Sequence, residues 1–248
     1  MALPTAQLLK LRRWNTPTIA NALEQITTAD PIDLVNRDET HDYMPEMGVM
    51  VGFAMTAIIS GGDPGPKREH PGNFARFREY LASRRGPKIV VVQDVDAPRC
   101  FGAIWGEVGA TNARTLGCMG TITDGAIRDL DEMRAVGFKA LARRLAVSHA
   151  HCWPLQWNVE VEVFGTKIRP GQLIHADKHG FIVIPNSAQP RLIEAARFMD
   201  DNECETVIEA GVMAAGAPGR STLQAMNRAA ARFSRQTRHK YGHGGEWR

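Results

Sequence analysis

Apolar and polar positions alternate in two textures along this chain. Nearly unbroken apolar runs at residues 48–60 (GVMVGFAMTAIIS) and 88–94 (KIVVVQD) predict strands, the first a buried one and the second marked by consecutive β-branched residues. A shorter run, 120–123, predicts another strand, and 138–141 one more. Between these runs the apolar period changes to that of a helix. In NFARFREYLASR, residues 73–84, Phe74, Phe77 and Leu81 fall on one face, and Gly86-Pro87 stops the segment. Residues 107–116 predict a second such helix, and one beginning at Ile127 and running to Ala135 predicts a third. Residues 5–25 read as one or two helices, with Thr16-Pro17 marking a start. Residues 29–47 and 61–72 read as loops, and Asp124-Gly125 as a turn.

Further on, NVEVEV at 158–163 alternates strictly and predicts a half-buried strand, with 166–168 returning as its hairpin partner. Residues 172–176 and 180–185 predict two more short strands, and 189–215 one long amphipathic helix or two. Strands interspersed with helices predict an α/β fold. Residues 1–215 read as one α/β domain, and 216–248 as a basic extension, since seven Arg or Lys and a single acid, Glu246, lie between Arg220 and Arg248. The extension reads as a solvated, partly disordered end, with packing on a neighbouring subunit as the competing reading.

Composition narrows the class. The 248 residues are 44% hydrophobic and 23% charged, ordinary for a water-soluble globular chain. A formal charge of +3 gives no general case for a nucleic-acid partner. Four cysteines without CxxC spacing predict reduced thiols, and no apolar run has the length of a membrane span, so a cytoplasmic protein is expected. His149 and His151 can ligate a metal only if both rings project together, and no third soft ligand stands at useful spacing. Asp94 and Asp96 after the 88–94 strand can bind metal or cap the next turn, and capping is the favoured reading.

The candidate chemistry gathers in GEVGATNARTLGCMGTITDGAIRDLDE, residues 106–132. Glu107 is separated from Arg128 by 20 residues, and Asp129 follows at once. A strand that ends in a turn and is followed by an Arg-Asp pair places a cation and a carboxylate at a strand's C-terminal end, where open α/β sheets hold ligands. A carboxylate there can hold a hard divalent cation, and an arginine can grip a substrate carboxylate with two parallel hydrogen bonds. The first N–H groups of a helix starting at Glu107 attract an anion as well.

GCMGTITDGAIRDLDEMRAVGFKALAR, with Gly106-Glu107 upstream and VEVFGTKIRPGQLIHADKHGFIVIP downstream, resembles the RraA-like family over roughly residues 15–210. That family includes class II 4-hydroxy-4-methyl-2-oxoglutarate/4-carboxy-4-hydroxy-2-oxoadipate aldolases. The resemblance implies a swivelling β/β/α-type single domain with helical N- and C-terminal segments, assembled as trimers or dimers of trimers with active sites between subunits. By that likeness Asp129 ligates Mg²⁺ or Mn²⁺ and Arg128 binds the pyruvate portion of a 2-oxo acid. The backbone of Gly106, Glu107, Val108 and Gly109 takes its carboxylate, and Glu203 matches a glutamate supplied by a neighbouring subunit. The aldolases carry aspartate where this chain has Glu107. Expected activity is metal-dependent cleavage of a 4-hydroxy-2-oxo acid to pyruvate, with oxaloacetate decarboxylation as a side reaction. Two alternatives are a non-enzymatic regulator, a branch that tends to lack the aspartate after the arginine, and a lyase of the same fold acting on another 2-oxo acid.

Overall fold

The unbroken apolar runs become parallel strands, and the period-3.6 segments become helices between them. In the computed structural model, which describes residues 3–217 and 219–244, the chain opens with α1 (Thr5–Leu11), α2 (Thr16–Glu24), α3 (Pro31–Leu34), β1 (His41–Asp42) and β2 (Met50–Ser60). Next come α4 (Gly65–Glu69), α5 (Asn73–Ala82), β3 (Lys88–Asp94), β4 (Ala103–Trp105), α6 (Glu107–Thr115), β5 (Cys118–Ile127), α7 (Leu130–Ala135) and β6 (Lys139–Leu145). Strands β7 (Trp153–Trp157), β8 (Val161–Val163), β9 (Thr166–Ile168), β10 (Leu173–Asp177) and β11 (Gly180–Ile184) follow. Helices α8 (Gln189–Glu203), α9 (Glu209–Met213) and α10 (Arg220–Tyr241) close the described chain, with a π-helical turn, Cys204–Ile208, between the first two.

Among the described residues these strands form a nine-stranded sheet in the order β1-β6-β5-β3-β2-β10-β11, with β4 added on β5 and β7 on β2. A separate hairpin pairs β8 with β9. Strands β2, β3, β5 and β6 run parallel, as do β4 and β5, because helical crossovers join them. Alternate residues of β3 serve two cores. Val90 and Val92 face a cluster holding Phe77, Leu81, Ala110 and Phe138, while Ile89 and Val91 face one holding Ile122, Val163, Phe164 and Phe181. Burial on both faces explains the continuous apolar run.

Two compact units divide the chain. One gathers the described residues up to Thr16 and Asp30–Asn186, the sheet and its helices; the other gathers Pro17–Ala29 with the described residues from Ser187 onward. In the second unit, α10 buries Phe233 and Thr237, four residues apart on one stripe. Asn202 Nδ2 of α8 donates to Phe233 O (3.3 Å) and Thr237 Oγ1 (3.1 Å), and Lys240 pairs with Glu194 at 2.9 Å. The expected partly disordered tail is therefore a 22-residue helix through most of its length. Its basic residues from Arg220 to Lys240 sit on an amphipathic helix that buries Phe233 and Thr237, and Arg248 lies outside the described residues. Glu246 lies outside the described residues.

Other local readings also change. Asp124-Gly125 makes no turn; both residues continue β5. The ladder to β6 shifts register between Thr123 and Ala126, and Asp124 Oδ1 accepts the Asp94 N–H at 2.8 Å. An Asp-Gly pair, ordinarily a hairpin signal, here fills an irregularity in a strand paired on both sides. The helix expected from Ile127 begins at Leu130, because β5 extends through Ile127. The two expected loops contain α3, β1 and α4, and β7 forms at Trp153–Trp157, where no element was expected. The alternating stretch at 158–163 is strand only from Val161, since Asn158 adopts φ +59°.

His175 is fully buried and structural. Its Nδ1 lies 2.9 Å from Thr16 Oγ1 and its Nε2 3.2 Å from Leu11 O, while Asp177 Oδ2 accepts the Thr16 N–H at 2.8 Å. Burial pushes its pKa down to about 4, so the ring stays neutral and ties Thr16 and Leu11 to β10.

Candidate functional site

The register of β4 against β5 assembles the site. Trp105 pairs with Ile127 in parallel, so the residues that follow each strand emerge side by side. Gly106 and Glu107 follow one, Arg128 and Asp129 the other. The Arg128 N–H extends the pairing by donating to Trp105 O at 3.0 Å. The 20-residue interval between Glu107 and Arg128 is thus one α6 crossover plus one strand.

Asp129 occupies the left-handed region at φ +54°, ψ +51°. A non-glycine residue pays roughly 1–2 kcal/mol there, although aspartate tolerates it better than most. The site holds it in place. Asp129 Oδ2 accepts the Glu107 N–H at 3.0 Å, Arg128 Nε stands 3.5 Å from the same oxygen, and Asp129 O accepts from the Met133 N–H at 2.9 Å. A carboxylate at the first N–H of α6 also meets the positive end of the helix dipole. That contact accounts for Gly106. A Cβ at this position would lie 2.5 Å from Asp129 Oδ2 and 3.1 Å from Arg128 Cγ.

The structure thus brings Gly106, Glu107, Arg128 and Asp129 together. The Glu107 N–H is engaged by Asp129, which leaves the first-turn N–H groups of Val108 and Gly109 without an intrahelical acceptor. The Glu107 side chain is exposed; Arg128 and Asp129 side chains are 36% and 35% exposed. Arg128 Nη1 also donates to Val147 O at 3.4 Å. Glu203 belongs to the other unit, where its Oε1 accepts from Asn21 Nδ2 at 3.1 Å. Both contacts of the Asp129 carboxylate use Oδ2. Among the described residues no three His, Cys, Asp or Glu side chains gather closely enough to cage a metal. A single accessible carboxylate suits a small hard cation, which binds through one or two carboxylates and completes its shell with water and substrate.

Asp94 and Asp96 act as turn caps. Asp96 Oδ2 accepts from Ser60 Oγ and from the Gly61 and Gly62 N–H groups at 2.8–2.9 Å, and Asp94 Oδ1 accepts the Asp96 N–H at 2.9 Å. Burial raises the Asp96 pKa, but those donors outweigh it and hold it low. Asp124, beside Asp94, is pushed up to about 7 by burial, with the Asp94 carboxylate adding to the push.

A cavity of about 330 Å³ lies along α6, from Val108 and Gly109 to Ala113. Its far walls come from α4–α5, which sequence reasoning did not connect to the site, and from residues 149–153. His149 and His151, weighed there as metal ligands, both line it. Cys152 lines it too, and burial pushes that thiol up to about 12, so it contributes apolar surface rather than a nucleophile. The aromatic residues Phe74 and Trp153 were the available signal, but only folding brings them together, at a ring separation of 4.7 Å.

Comparison with known proteins adds the following. The family model described as RraA-like, Aldolase/RraA, matches residues 16–183. A protein of Halalkalibacterium halodurans named "Putative 4-hydroxy-4-methyl-2-oxoglutarate aldolase" is 29% identical over 210 residues, 84% of this chain and 90% of that one. Among solved structures, an uncharacterized protein from Pseudomonas syringae pv. tomato superposes with a TM-score of 0.68 at 21% identity, covering 91% of this chain and 94% of that one. RraAS2 of Streptomyces coelicolor, described as an unusual member of the RNase ES inhibitor RraA family, gives 0.65 at 20% identity, covering 83% and 96%. These two likenesses establish the fold. No helix among the described residues is long and apolar enough to cross a membrane.

Proposed function

This chain belongs to the RraA-like family, and from that membership we propose a divalent-metal-dependent lyase that cleaves a 4-hydroxy-2-oxo acid to pyruvate, with oxaloacetate decarboxylation as a side activity. The observation that carries the reading is the junction of β4 and β5, where Arg128, Asp129 and the first turn of α6 converge. Relatives with an aldolase name at 29% identity support it.

Arg128 pairs with the substrate carboxylate, a charge-assisted contact for which guanidinium is well shaped. The Val108 and Gly109 N–H groups, at the positive end of α6, face the same anion. Asp129 would hold Mg²⁺ or Mn²⁺, fixed by its bond from the Glu107 N–H. Such a cation would act as a Lewis acid on the 2-oxo group and on negative charge developing beside it. Glu107, exposed at the mouth, orients a water that takes the proton from the 4-hydroxyl. The C3–C4 bond then breaks, its electron pair passes to the pyruvate enolate, and the same water returns a proton to C3. Arg128 stabilises the charge as it forms. We further propose a homo-oligomer, a trimer or dimer of trimers, in which a neighbouring copy contributes Glu203.

The test is pyruvate release from oxaloacetate and from 4-carboxy-4-hydroxy-2-oxoadipate with Mg²⁺, Mn²⁺ or EDTA. Metal-dependent release from both is expected, and both should disappear in Asp129→Ala. Retained cleavage by that variant sinks the assignment.

A further inference from the structure

The cavity beside α6 is not part of the Arg128–Asp129 cluster, yet the two share a wall. Val108 and Gly109 line the cavity and carry N–H groups of the proposed carboxylate cradle. Arg128 Nη1 reaches Val147 O, two residues before His149, which also lines the cavity. A substrate whose carboxylate sits on Arg128 and the start of α6 therefore has this space next to it.

The lining has a consistent chemistry. Phe74, Phe77, Trp105 and Trp153 supply aromatic walls, and Phe74 stands edge-on to Trp153. Lys67 and Arg78, both exposed, bring cations to the edge, and Lys67 Nζ lies 5.7 Å from the Trp153 ring centroid. Among the described residues no carboxylate lines the cavity. Its volume, about 330 Å³, is more than twice the ~150 Å³ known to hold benzene and lies at the small end of the range for ligand sites. Aromatic walls favour a flat apolar group, and a cationic edge favours an anion on its far side.

We propose that this cavity is the subsite for the fragment released as the carbonyl product, and that it selects an aryl group carrying an anionic substituent. The inference rests on the enolate-forming reading above. The substrate class is thus a 4-hydroxy-2-oxo acid bearing an aryl group at C4. Breaking C3–C4 releases an aryl carbonyl compound, the 4-hydroxyl proton leaves with the water held by Glu107, and the electron pair stays on the pyruvate enolate.

The experiment measures kcat/KM of the full chain with Mg²⁺ for four substrates. These are 4-(4-carboxyphenyl)-4-hydroxy-2-oxobutanoate, its unsubstituted phenyl analogue, 4-hydroxy-4-methyl-2-oxoglutarate and oxaloacetate. The carboxyphenyl acid should exceed 4-hydroxy-4-methyl-2-oxoglutarate at least tenfold. Asn112→Trp, which fills the cavity from the exposed face of α6, should lower the ratio of carboxyphenyl acid to oxaloacetate at least tenfold. Lys67→Met should erase the preference for the carboxyphenyl over the phenyl acid. Oxaloacetate turnover without preference for either aryl acid overturns the subsite alone, as does an Asn112→Trp ratio unchanged within twofold. Absence of turnover with oxaloacetate and every 4-hydroxy acid overturns the enolate reading, and this inference with it.

Discussion

Replacing Gly106 by alanine tests whether the Asp129 carboxylate is held by the start of α6. Gly106 has φ −158°, an extended conformation open to alanine, so the backbone itself resists nothing. The cost is steric. The new Cβ would stand 2.5 Å from Asp129 Oδ2, against 3.4 Å or more for ordinary contact. The carboxylate must retreat by about 1 Å, which stretches its 3.0 Å bond from the Glu107 N–H beyond hydrogen-bonding range. A hydrogen bond to a charged group contributes about 1.5–3 kcal/mol. If Asp129 is needed in this position, kcat/KM for pyruvate release should fall about 10- to 100-fold, at about 1.4 kcal/mol per decade. The Mg²⁺ concentration giving half-maximal rate should rise with it. Gly72→Ala is the matched control, because nothing lies within 4 Å of its Cβ position and its φ of −83° is ordinary. Initial rates of pyruvate formation, coupled to lactate dehydrogenase across a Mg²⁺ titration, provide the assay. A Gly106→Ala protein within twofold of the parent at every Mg²⁺ concentration would falsify the claim that this contact positions Asp129.

Three further outcomes follow from named contacts. Arg128→Lys keeps the charge but loses the planar fork, so KM for oxaloacetate should rise and kcat/KM fall by about tenfold or more for every 2-oxo acid cleaved; equal kinetics would remove Arg128 from carboxylate binding. Asp124 holds its proton in the folded state up to about pH 7 and in the unfolded state only to about 4, so folding stability should decline as pH rises through that window and level off above it. Asp124→Asn keeps the acceptor for the Asp94 N–H and should flatten this decline, a relative gain on the order of 4 kcal/mol at pH 8 over pH 4 in urea melts; identical pH dependence in the two proteins would refute the claim that burial holds the proton on Asp124. Lys139 and Asp42 form an ion pair at 2.6 Å with side chains 3% and 2% exposed, so Lys139→Met strands a buried carboxylate and should cost about 3–5 kcal/mol, with Asp42→Asn recovering part of it in a double-mutant cycle.

Much of the frame was legible in the chain because its causes are local. Four β-branched or apolar neighbours at Ile89, Val90, Val91 and Val92 already favour a strand, and Phe74, Phe77 and Leu81 already share a helical face. The interval from Glu107 to Arg128 could be read as a helix and a short strand, with the Arg-Asp pair following the strand past a turn. What stayed hidden depends on partners distant in sequence. Asp124-Gly125 carries the local signature of a turn, yet parallel pairing of β5 on both sides and the Asp94 N–H override it. The left-handed backbone of Asp129 follows from its bond to Glu107, 22 residues away. Basic composition suggested a loose tail, but Phe233 and Thr237 fall on one stripe and Asn202 donates to both. The cavity wall joins Lys67, Phe74, Asn112 and Trp153, which no window of the sequence contains together. Periodicity is written by a residue's neighbours in the chain and so survives in the sequence alone. Register, backbone strain and enclosed space arise only when the sheet fixes which distant residues meet.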